Sequence, residues 1–514
     1  MSERNTPSTD ALFPRLEAWA LPILVAMGLV RALVAALAPL TPDESFYWLW
    51  ARPVQLSYLD HPGMVGWWIW IGVRLLGNTA LGVRLLSVIS AAAVTFLLWE
   101  IGRIGWGRRE LGARAALWLN ATILFNAAGV LMTPDAPLLL FWSLCVWAIV
   151  RLIDAGRARW LYVAAIACGL GIDSKYTMAL IVPGAVVTFL LFPALRRWLA
   201  HWHFWLAAII GLCCTAPVVI WNRDHGWASI GKQFGHAFGS ATDNPGLSFF
   251  NFAVTQIGLV TPLLFLFVLG ASAWTLGAGW MRRRASWFLF GAISLPIILF
   301  FAAHAFENVV QAHWSGPAYL GGILAAAGAP WAAGWSRRGW RWLVVAAPVL
   351  GLAMTLLVFF QATTALIPVP TITDPTKRLA GWDELAMAVQ KAREAHPDAF
   401  LFATKHETAG IVAFRLADHP DVILVGGPMR PSFYGADAVA NLHGHDGLLI
   451  SAFKEGDMRY LAPYFDRMTI VAEVPLMWGG RLADQYRIIL AQGYHGGLFV
   501  AGDGFPGALD NAKK

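Results

Sequence analysis

The sequence predicts an α-helical polytopic membrane protein with a small α/β domain at its C-terminal end. Three observations predict this class. Hydrophobic residues make up 58% of the 514 residues and charged residues only 13%, whereas roughly a quarter of the residues of soluble domains are charged. Apolar runs long enough to span a bilayer fill residues 18–361. From about residue 362 onward the composition becomes that of a globular protein.

The apolar runs divide residues 18–361 into helices. A bilayer core takes about 20 apolar residues per helix, which gives about eleven candidates. They lie at roughly residues 18–40, 81–102, 113–132, 136–152, 160–174, 177–193, 203–221, 252–275, 287–304, 314–333 and 341–361. The apolar stretch MVGWWIWIGVRLLGN is short and contains Arg74, so a helix lying along the membrane surface is expected there.

The loops between the runs alternate in charge. One set is basic (RIGWGRRELGAR, RLIDAGRARW, LRRWLAHWH, MRRRASW, SRRGWR) and the other is acidic or mixed. Arginine clusters between apolar runs mark the cytoplasmic side of a membrane protein, so the net charge of +7 does not indicate nucleic-acid binding. The pattern predicts residues 1–17 as a cytoplasmic tail and places the C-terminal domain on the outer side, facing the periplasm or the cell exterior.

Residues 362–514 read as an α/β domain. Four β-like stretches, DAFLFAT, DVILVGG, GLLISAF and MTIVAEV, follow a helical stretch, GWDELAMAVQKAREAH. Strands alternating with a helix favour a small α/β fold. All four cysteines lie in apolar runs, so neither a disulfide framework nor a zinc finger is indicated. No dinucleotide-binding or P-loop motif is present, so no nucleotide cofactor is expected.

Ionisable residues collect in the loops predicted to face outward. Such groups are costly near hydrocarbon and usually face a protein cavity, so their shared sidedness predicts one water-accessible site. For any one of them, ordinary loop polarity is the alternative. The residues are Asp43, Glu44, Asp60, His61, Asp135, Lys175, Asp224, His225, His236, Glu307 and His313.

Several motifs occur in the order known from one enzyme family. They are PDESFYWLWA, YLDHPGMVGWWI, LGVRLLS, TPDAPLLLFW, SKYT, WNRDHGWAS and HWSGPAYL. Over residues 15–335 the chain resembles the GT-C class of polytopic glycosyltransferases, which contains protein O-mannosyltransferases, the aminoarabinose transferase of lipid A and rhizobial galacturonosyltransferases. The resemblance implies that a sugar moves from a polyprenyl-phosphate donor to a lipid, glycan or protein acceptor, with inversion at the anomeric carbon.

The resemblance also assigns catalytic residues. The acidic pair at the start of the first outer loop carries the family's base, and it maps onto Asp43 and Glu44. Asp43 is expected to be the general base, and Glu44 is expected to orient the acceptor or a metal. A structural alternative stays open, because Asp43 precedes a helical pattern and aspartate is a common N-cap.

Six further residues are candidates for binding the donor, above all its phosphate. A lysine ammonium or a cationic imidazole suits a lipid phosphate, although a snorkelling lysine, a helix cap or the turn DHPG would each explain single members. The candidates are His61, Arg84, Asp135, Lys175, Tyr176 and Asp224.

A divalent ion (Mg, Mn or Zn) is a further expectation. In the aminoarabinose branch a Glu-Lys pair contacts a metal and the lipid phosphate, whereas this chain has Asp60 and His61. His236 resembles in position a metal-associated histidine of those enzymes. Carboxylate and imidazole together suit Zn or Mn, so Asp60 and His236 are the candidate ligands.

Two other classes of protein stay open at this stage. A transporter or lipid flippase would show ionisable residues at mid-depth and related halves, but this chain has Arg31 and little else at mid-depth. A carrier-lipid-binding protein without catalysis is the second alternative. The acidic pair Asp43–Glu44 argues against it.

Overall fold

The protein is described from a computed structural model. It describes residues 13–238, 242, 244–334, 338–371, 373–425, 441–452 and 455–498. The chain forms two compact units. The first takes in the residues up to Ala35, Leu56–Val65 and Arg84–Leu357, and the second takes in Ala36–Gln55, Gly66–Val83 and the chain from Val358 onward.

Long apolar helices dominate the part of the chain before Ala365. Within the described residues, six helices are long and apolar enough to cross a bilayer, or eight if each of two bent pairs is one span. Three shorter apolar helices, Met64–Leu76, Arg159–Ile172 and Pro245–Val260, add to these. The expected multi-pass helical membrane fold is confirmed. The helices are Phe13–Leu37, Pro42–Trp50, Met64–Leu76, Ala80–Trp106, Arg109–Asn120, Ile123–Val130, Asp135–Ala155, Arg159–Ile172, Tyr176–Leu180 (3-10), Ile181–Leu191, Pro193–Leu199, Trp202–Cys213, Ala216–Asp224, Ala228–Phe238, Pro245–Val260, Pro262–Met281, Ala285–Ala292, Leu295–His304, Gly316–Ala332 and Arg338–Thr364.

One of the predicted apolar runs is interrupted by proline. The run expected at 252–275 is two helices, Pro245–Val260 and Pro262–Met281, which meet at Thr261. Thr261 has a φ of 72°, which ends the first helix. The following proline cannot donate the backbone hydrogen bond that would continue the helix, but it suits the first turn of a new one.

The helices of the first unit pack through small residues and internally satisfied polar groups. A Cβ added at Gly169 would lie 2.2 Å from the carbonyl oxygen of Gly211, so only glycine lets these two backbones approach. Arg31, at mid-depth of the first helix, donates from Nε to the Asn126 side chain at 2.9 Å. Arg114 donates to the carbonyl oxygen of Ala327 at 2.9 Å. These hydrogen bonds reduce the cost of burying the two guanidinium groups in an apolar core.

The C-terminal part forms a five-stranded mixed sheet. Its strands are β1 Phe400–Ala403, β2 Val422–Leu424, β3 Gly447–Ala452, β4 Phe465–Trp478 and β5 Arg481–Tyr494. The order is β2-β1-β3-β5-β4, with β1 parallel to β2 and β3, and β5 antiparallel to β3 and β4. The helices of this part are Pro375–Leu379 (3-10), Trp382–Ala395, His406–Arg415, Glu455–Leu461 and Ala462–Tyr464 (3-10).

The sequence pattern accounts for most of this sheet. Strands β1 to β3 are short apolar runs that are almost wholly buried, as is usual for strands covered on both faces. All four predicted strands and the helix Trp382–Ala395 are present. Strand β5 was not predicted; it follows β4 through Gly479 and Gly480, whose φ values are 54° and 75°. Two adjacent residues with positive φ form the tight turn that suits the twist of a β-hairpin.

Candidate functional site

A buried ion pair joins two of the predicted site residues in the first unit. The Lys175 ammonium lies 2.8 Å from a carboxylate oxygen of Asp135, and the two side chains are 7% and 13% exposed. The His313 Nε2 atom lies 3.7 Å from the other oxygen of the same carboxylate. His61 is close enough for Lys175, Asp135 and His313 to influence its charge. Lys175 therefore does not snorkel to the membrane surface, and we call Lys175, Asp135, His61 and His313 the lysine-histidine cluster.

Local structure fixes each member of the cluster. Asp135 is the first residue of the helix Asp135–Ala155, and its carboxylate pairs with the Lys175 ammonium. Lys175 has extended backbone just before a 3-10 helix. His61 lies in a turn closed by a bridge between Ser57 and Pro62, so the structural reading of DHPG as a turn is confirmed. The Met64 amide donates to the carbonyl oxygen of Asp173 at 3.1 Å, which ties this turn to the lysine segment.

The histidines of the cluster are held neutral. Burial lowers the pKa of His61 to about 3, and the positive charge of Lys175 adds to the effect. The same two causes, in the same order, lower the pKa of His313 to about 4, although 44% of that side chain is exposed. At neutral pH the positive charge of the cluster therefore rests on Lys175, not on imidazolium.

A second ion pair joins Asp60 to Lys232. The Lys232 ammonium binds a carboxylate oxygen of Asp60, and the side chains are 24% and 16% exposed. The Gln233 amide donates to the backbone oxygen of Asp60 at 2.6 Å. Tyr176 lies beside this segment, since its hydroxyl is 3.0 Å from that of Ser229. Helix Ala228–Phe238 therefore contacts both the loop that carries His61 and the Tyr176 hydroxyl.

Asp173 is a buried carboxylate that the sequence analysis did not assign. It is 1% exposed, and among the described residues neither of its carboxylate oxygens has a hydrogen bond of normal geometry. Burial raises its pKa to about 7, and the backbone N–H of Val218 opposes the rise. Asp173 is therefore partly protonated near neutral pH.

Asp43 and Glu44 lie in the second unit on the short helix Pro42–Trp50. Thr41 is the N-cap of this helix and Glu44 completes a capping box, accepting from the Thr41 amide at 2.9 Å. The alternative that Asp43 is the cap is therefore wrong. Asp43 is 40% exposed and lies 3.3 Å from the guanidinium of Arg378, which also lies 3.6 Å from Glu407.

The helix that carries Asp43 packs on a helix of the α/β part. A Cβ added at Gly410 would lie 2.6 Å from the backbone nitrogen of Phe46, so the glycine allows close contact with helix His406–Arg415. The rings of Trp48 and Phe414 meet edge to face with centroids 5.2 Å apart. Arg52 pairs with Asp421 at 3.1 Å. Aromatic, glycine and ion-pair contacts therefore fix the position of the acidic helix within this unit.

Three other candidates have different surroundings. Arg84 is fully buried and donates to the carbonyl oxygen of Ala35 at 3.2 Å. Asp224 is half exposed and pairs with the neighbouring Arg223. His236 lies on helix Ala228–Phe238, but its side chain lies outside the described residues. The structure thus unites His61, Asp135 and Lys175 and gives Arg84 and Asp224 separate contacts.

The described residues contain no group of three or more His, Cys, Asp or Glu side chains that could hold a metal. Asp60, the candidate ligand that is described, is engaged by the Lys232 ammonium instead. A divalent ion at Asp60 would have to displace that lysine. The described donor set therefore does not fit the expected metal.

Sequence analysis did not assign a role to Lys232, Arg378 or Asp173. Lys232 had a visible signal, because it lies in an amphipathic stretch following WNRDHGWAS. Arg378 had none, since it lies 335 positions after Asp43 in a region read as a separate domain. Burial of Asp173 depends on tertiary packing that the local sequence does not reveal.

The fold and the site define a multi-pass membrane protein with a buried cluster of ionisable residues in its loops. Residues 60–221 match the family model described as dolichyl-phosphate-mannose-protein mannosyltransferase. This segment contains Asp60, His61, Asp135 and Lys175. The match thus covers the lysine-histidine cluster apart from His313.

Known proteins resemble larger parts of the chain. The lipid A galacturonosyltransferase RgtD of Rhizobium johnstonii is 26% identical over 55% of this chain and 59% of its own length. An undecaprenyl phosphate-alpha-4-amino-4-deoxy-L-arabinose arabinosyl transferase of Pseudomonas fluorescens is 29% identical over 35% of this chain and 36% of its own. The chain thus matches a little over half of the first relative and about a third of the second.

A solved structure extends the likeness to nearly the whole fold. ArnT from Cupriavidus metallidurans, bound to undecaprenyl phosphate, superposes with a TM-score of 0.61, covering 92% of this chain and 98% of that one at 18% identity. At this identity the likeness concerns the fold. The chain therefore shares its fold with this solved polytopic membrane protein, and its residues 60–221 match the mannosyltransferase family model, in line with the motif resemblance.

Proposed function

We propose that the protein is an inverting glycosyltransferase that moves a sugar from a polyprenyl-phosphate donor to a lipid, glycan or protein acceptor. The observation that carries the proposal is the buried Lys175–Asp135 pair, flanked by His61, inside the segment that matches the mannosyltransferase family model. The names of the relatives, which act with lipid-linked sugars or on lipid A, favour this donor class and a cell-envelope acceptor.

The proposed transfer is a nucleophilic displacement at the anomeric carbon of the sugar. The acceptor oxygen forms a bond to that carbon while the bond from the carbon to the phosphate oxygen breaks. The bonding electrons leave with polyprenyl phosphate, and the acceptor proton passes to a base. The phosphate therefore gains negative charge during the reaction, and cations that meet this charge lower the barrier.

Each role in this reaction is assigned to a residue of the chain. Lys175 binds the phosphate, because its ammonium has three N–H donors and Asp135 occupies one. His61 is neutral and donates or accepts a hydrogen bond beside it. Asp43 is the base for the acceptor hydroxyl. The carboxylate of Glu44 accepts a hydrogen bond from the Thr41 amide. This contact fixes the first turn of the helix that carries Asp43.

The location of the reaction follows from loop charge. The arginine-rich loops are cytoplasmic by the positive-inside rule, which leaves the loops of Asp43, His61 and Lys175 in the periplasm. We propose the inner membrane, a cytoplasmic N-terminus and a periplasmic C-terminal domain. Cysteine accessibility labelling at Ser2 and at Asp398 tests this topology, because only the second position should react from outside.

A reconstitution assay tests the activity. Purified protein in lipid nanodiscs receives a panel of polyprenyl-phosphate sugars together with lipid A, and transfer is read by mass spectrometry. Transfer of at least one sugar is expected, with loss in Asp43→Asn and Lys175→Met. Lys391→Met, at an exposed position of the α/β part, is the matched control and should retain full rate.

Three outcomes would contradict the proposal. Undiminished turnover in Asp43→Asn would remove the base. Movement of intact donor across the bilayer without transfer would favour a flippase. Carrier binding with no transfer from any donor would leave a lipid-binding protein.

A further inference from the structure

Lys232 occupies the position at Asp60 where a divalent cation was expected. Its ammonium binds the Asp60 carboxylate directly, and the pair is largely buried. The lysine and the aspartate are 172 positions apart, so the pair is a tertiary contact and not an accident of neighbouring residues.

We propose that Lys232 supplies at Asp60 the positive charge that a metal would supply, and that it binds the donor phosphate together with Lys175 without a bound metal ion. This inference rests on the proposed function and names the second cation of its donor site. The ligand is the phosphate of a polyprenyl-phosphate sugar.

The segment that carries Lys232 is held in place by neighbours on both sides. The backbone amide of Ile230 donates to the Asn222 side chain at 3.1 Å, and Ser229 meets the Tyr176 hydroxyl at 3.0 Å. Gln233, the next residue, donates to the backbone of Asp60 at 2.6 Å. Lys232 is therefore positioned before any ligand binds, which reduces the entropy that binding would cost.

Charge and donor geometry suit a phosphate. Lysine offers three N–H donors, and the Asp60 contact uses one, so the ammonium has donors to share with a phosphate oxygen. Lys175 is in the same state beside Asp135. Each ammonium is paired with a carboxylate, so neither is a buried charge without a counter-ion. When an anion binds, each can contact it without losing its carboxylate.

A metal at Asp60 is the competing arrangement. A divalent ion needs several oxygen or nitrogen ligands, and the described residues bring no three candidate ligands together. The ion would also have to displace Lys232, which would leave a partly buried ammonium without its carboxylate. The ion pair already present makes the metal the costlier arrangement.

Metal content and carrier binding test the proposal on the full-length protein in nanodiscs. Inductively coupled plasma mass spectrometry should find well under one Zn, Mn or Mg per chain. Undecaprenyl phosphate is the binding probe, and its affinity should be the same before and after dialysis against a chelator. Stoichiometric metal, or binding lost on chelation and restored by Zn²⁺ or Mn²⁺, would overturn the proposal.

Substitutions at Lys232 show whether this lysine binds the phosphate or only neutralises Asp60. Lys232→Met should weaken undecaprenyl phosphate binding about tenfold or more, which is the usual worth of a hydrogen bond to a charged group. Lys232→Arg should keep most of the affinity. In the double variant Asp60→Asn/Lys232→Met the unpaired carboxylate is gone, which protects folding. Binding should nevertheless stay weak, and full recovery would assign the lysine a merely structural role.

These readouts do not depend on transfer. If no donor sugar is transferred but carrier binding depends on Lys232, the proposed function fails and the binding inference stands. If transfer occurs and chelation abolishes carrier binding, the function stands and the metal-free inference fails. Lys391→Met again serves as the matched surface control.

Discussion

The buried carboxylate of Asp173 makes a quantitative prediction about stability. Its pKa is raised by burial to about 7, against an ordinary value of 3.8. Between these two pH values the folded protein keeps a proton that the unfolded chain has released. Stability must therefore fall as the pH rises through this window, and above pH 7 the whole cost is present. Replacing Asp173 with Asn removes the titration and should abolish this cost.

The size of the effect follows from the shift. Each unit of pKa corresponds to about 1.36 kcal/mol, so a rise from 3.8 to about 7 corresponds to at most about 4 kcal/mol. The residue is 1% exposed, so solvent screening does not reduce this figure much. Asp173→Asn should therefore stabilise the protein by up to about 4 kcal/mol at pH 8 and hardly at all at pH 4.

Thermal unfolding followed by intrinsic fluorescence in detergent, at half-unit steps from pH 4 to pH 8.5, measures this difference. Asp418→Asn is the matched control with the opposite sign. Arg393 pairs with Asp418 at 2.7 Å and lowers its pKa, so that pair stabilises above the usual carboxylate pKa and is lost as the pH falls. A Tm increase in Asp173→Asn that is equal at all pH values, or a decrease at pH 8, would refute the reasoning.

Three further predictions concern the ion pairs and the packing. Asp135→Asn or Lys175→Met alone should lower stability by about 3–5 kcal/mol because each leaves a buried charge unpaired, and the double variant should recover part of the loss in a thermal double-mutant cycle. Arg378→Gln should change stability by less than about 1 kcal/mol because its contact with Asp43 is exposed; a larger loss in thermal unfolding would contradict this. Gly410→Val should lower stability by about 1–3 kcal/mol or more by forcing helix Pro42–Trp50 away, whereas Gly277→Ala, which meets no atom within 4 Å, should leave the Tm unchanged.

The membrane fold and part of the site were accessible from the sequence. Apolar runs and arginine-rich loops are averages over many residues, so they predict helices and sidedness without tertiary information. Sidedness in turn predicted that Asp135 and Lys175, 40 positions apart, share one site, and the structure pairs them at 2.8 Å. The break at Thr261 was missed because proline is tolerated in membrane helices, so Pro262 alone did not require one.

The features that were not predicted depend on contacts between segments distant in sequence. The amphipathic stretch marks Lys232 as a candidate, but it does not identify Asp60 as the partner, because the two residues are 172 positions apart. Likewise, Arg378 and Gly410 contact the acidic helix only because the chain returns to it after the last membrane helix. Strand β5 was overlooked because its half-exposed residues break the apolar alternation. Strand β5 is stabilised by backbone hydrogen bonds to β3 and β4, and these contacts cannot be recognised from its own sequence.

The charge of the site leads to a last prediction, about product release. The donor carries its phosphate as a diester with one negative charge, whereas the released carrier is a monoester whose second pKa is about 6. Two ammonium groups, Lys175 and Lys232, face this phosphate in the proposed site, so the carrier should bind more tightly than the donor above pH 6. Undecaprenyl phosphate should then inhibit competitively, with an inhibition constant that falls as the pH rises from 5.5 to 7.5. An inhibition constant independent of pH would mean that the lysines do not meet the carrier phosphate.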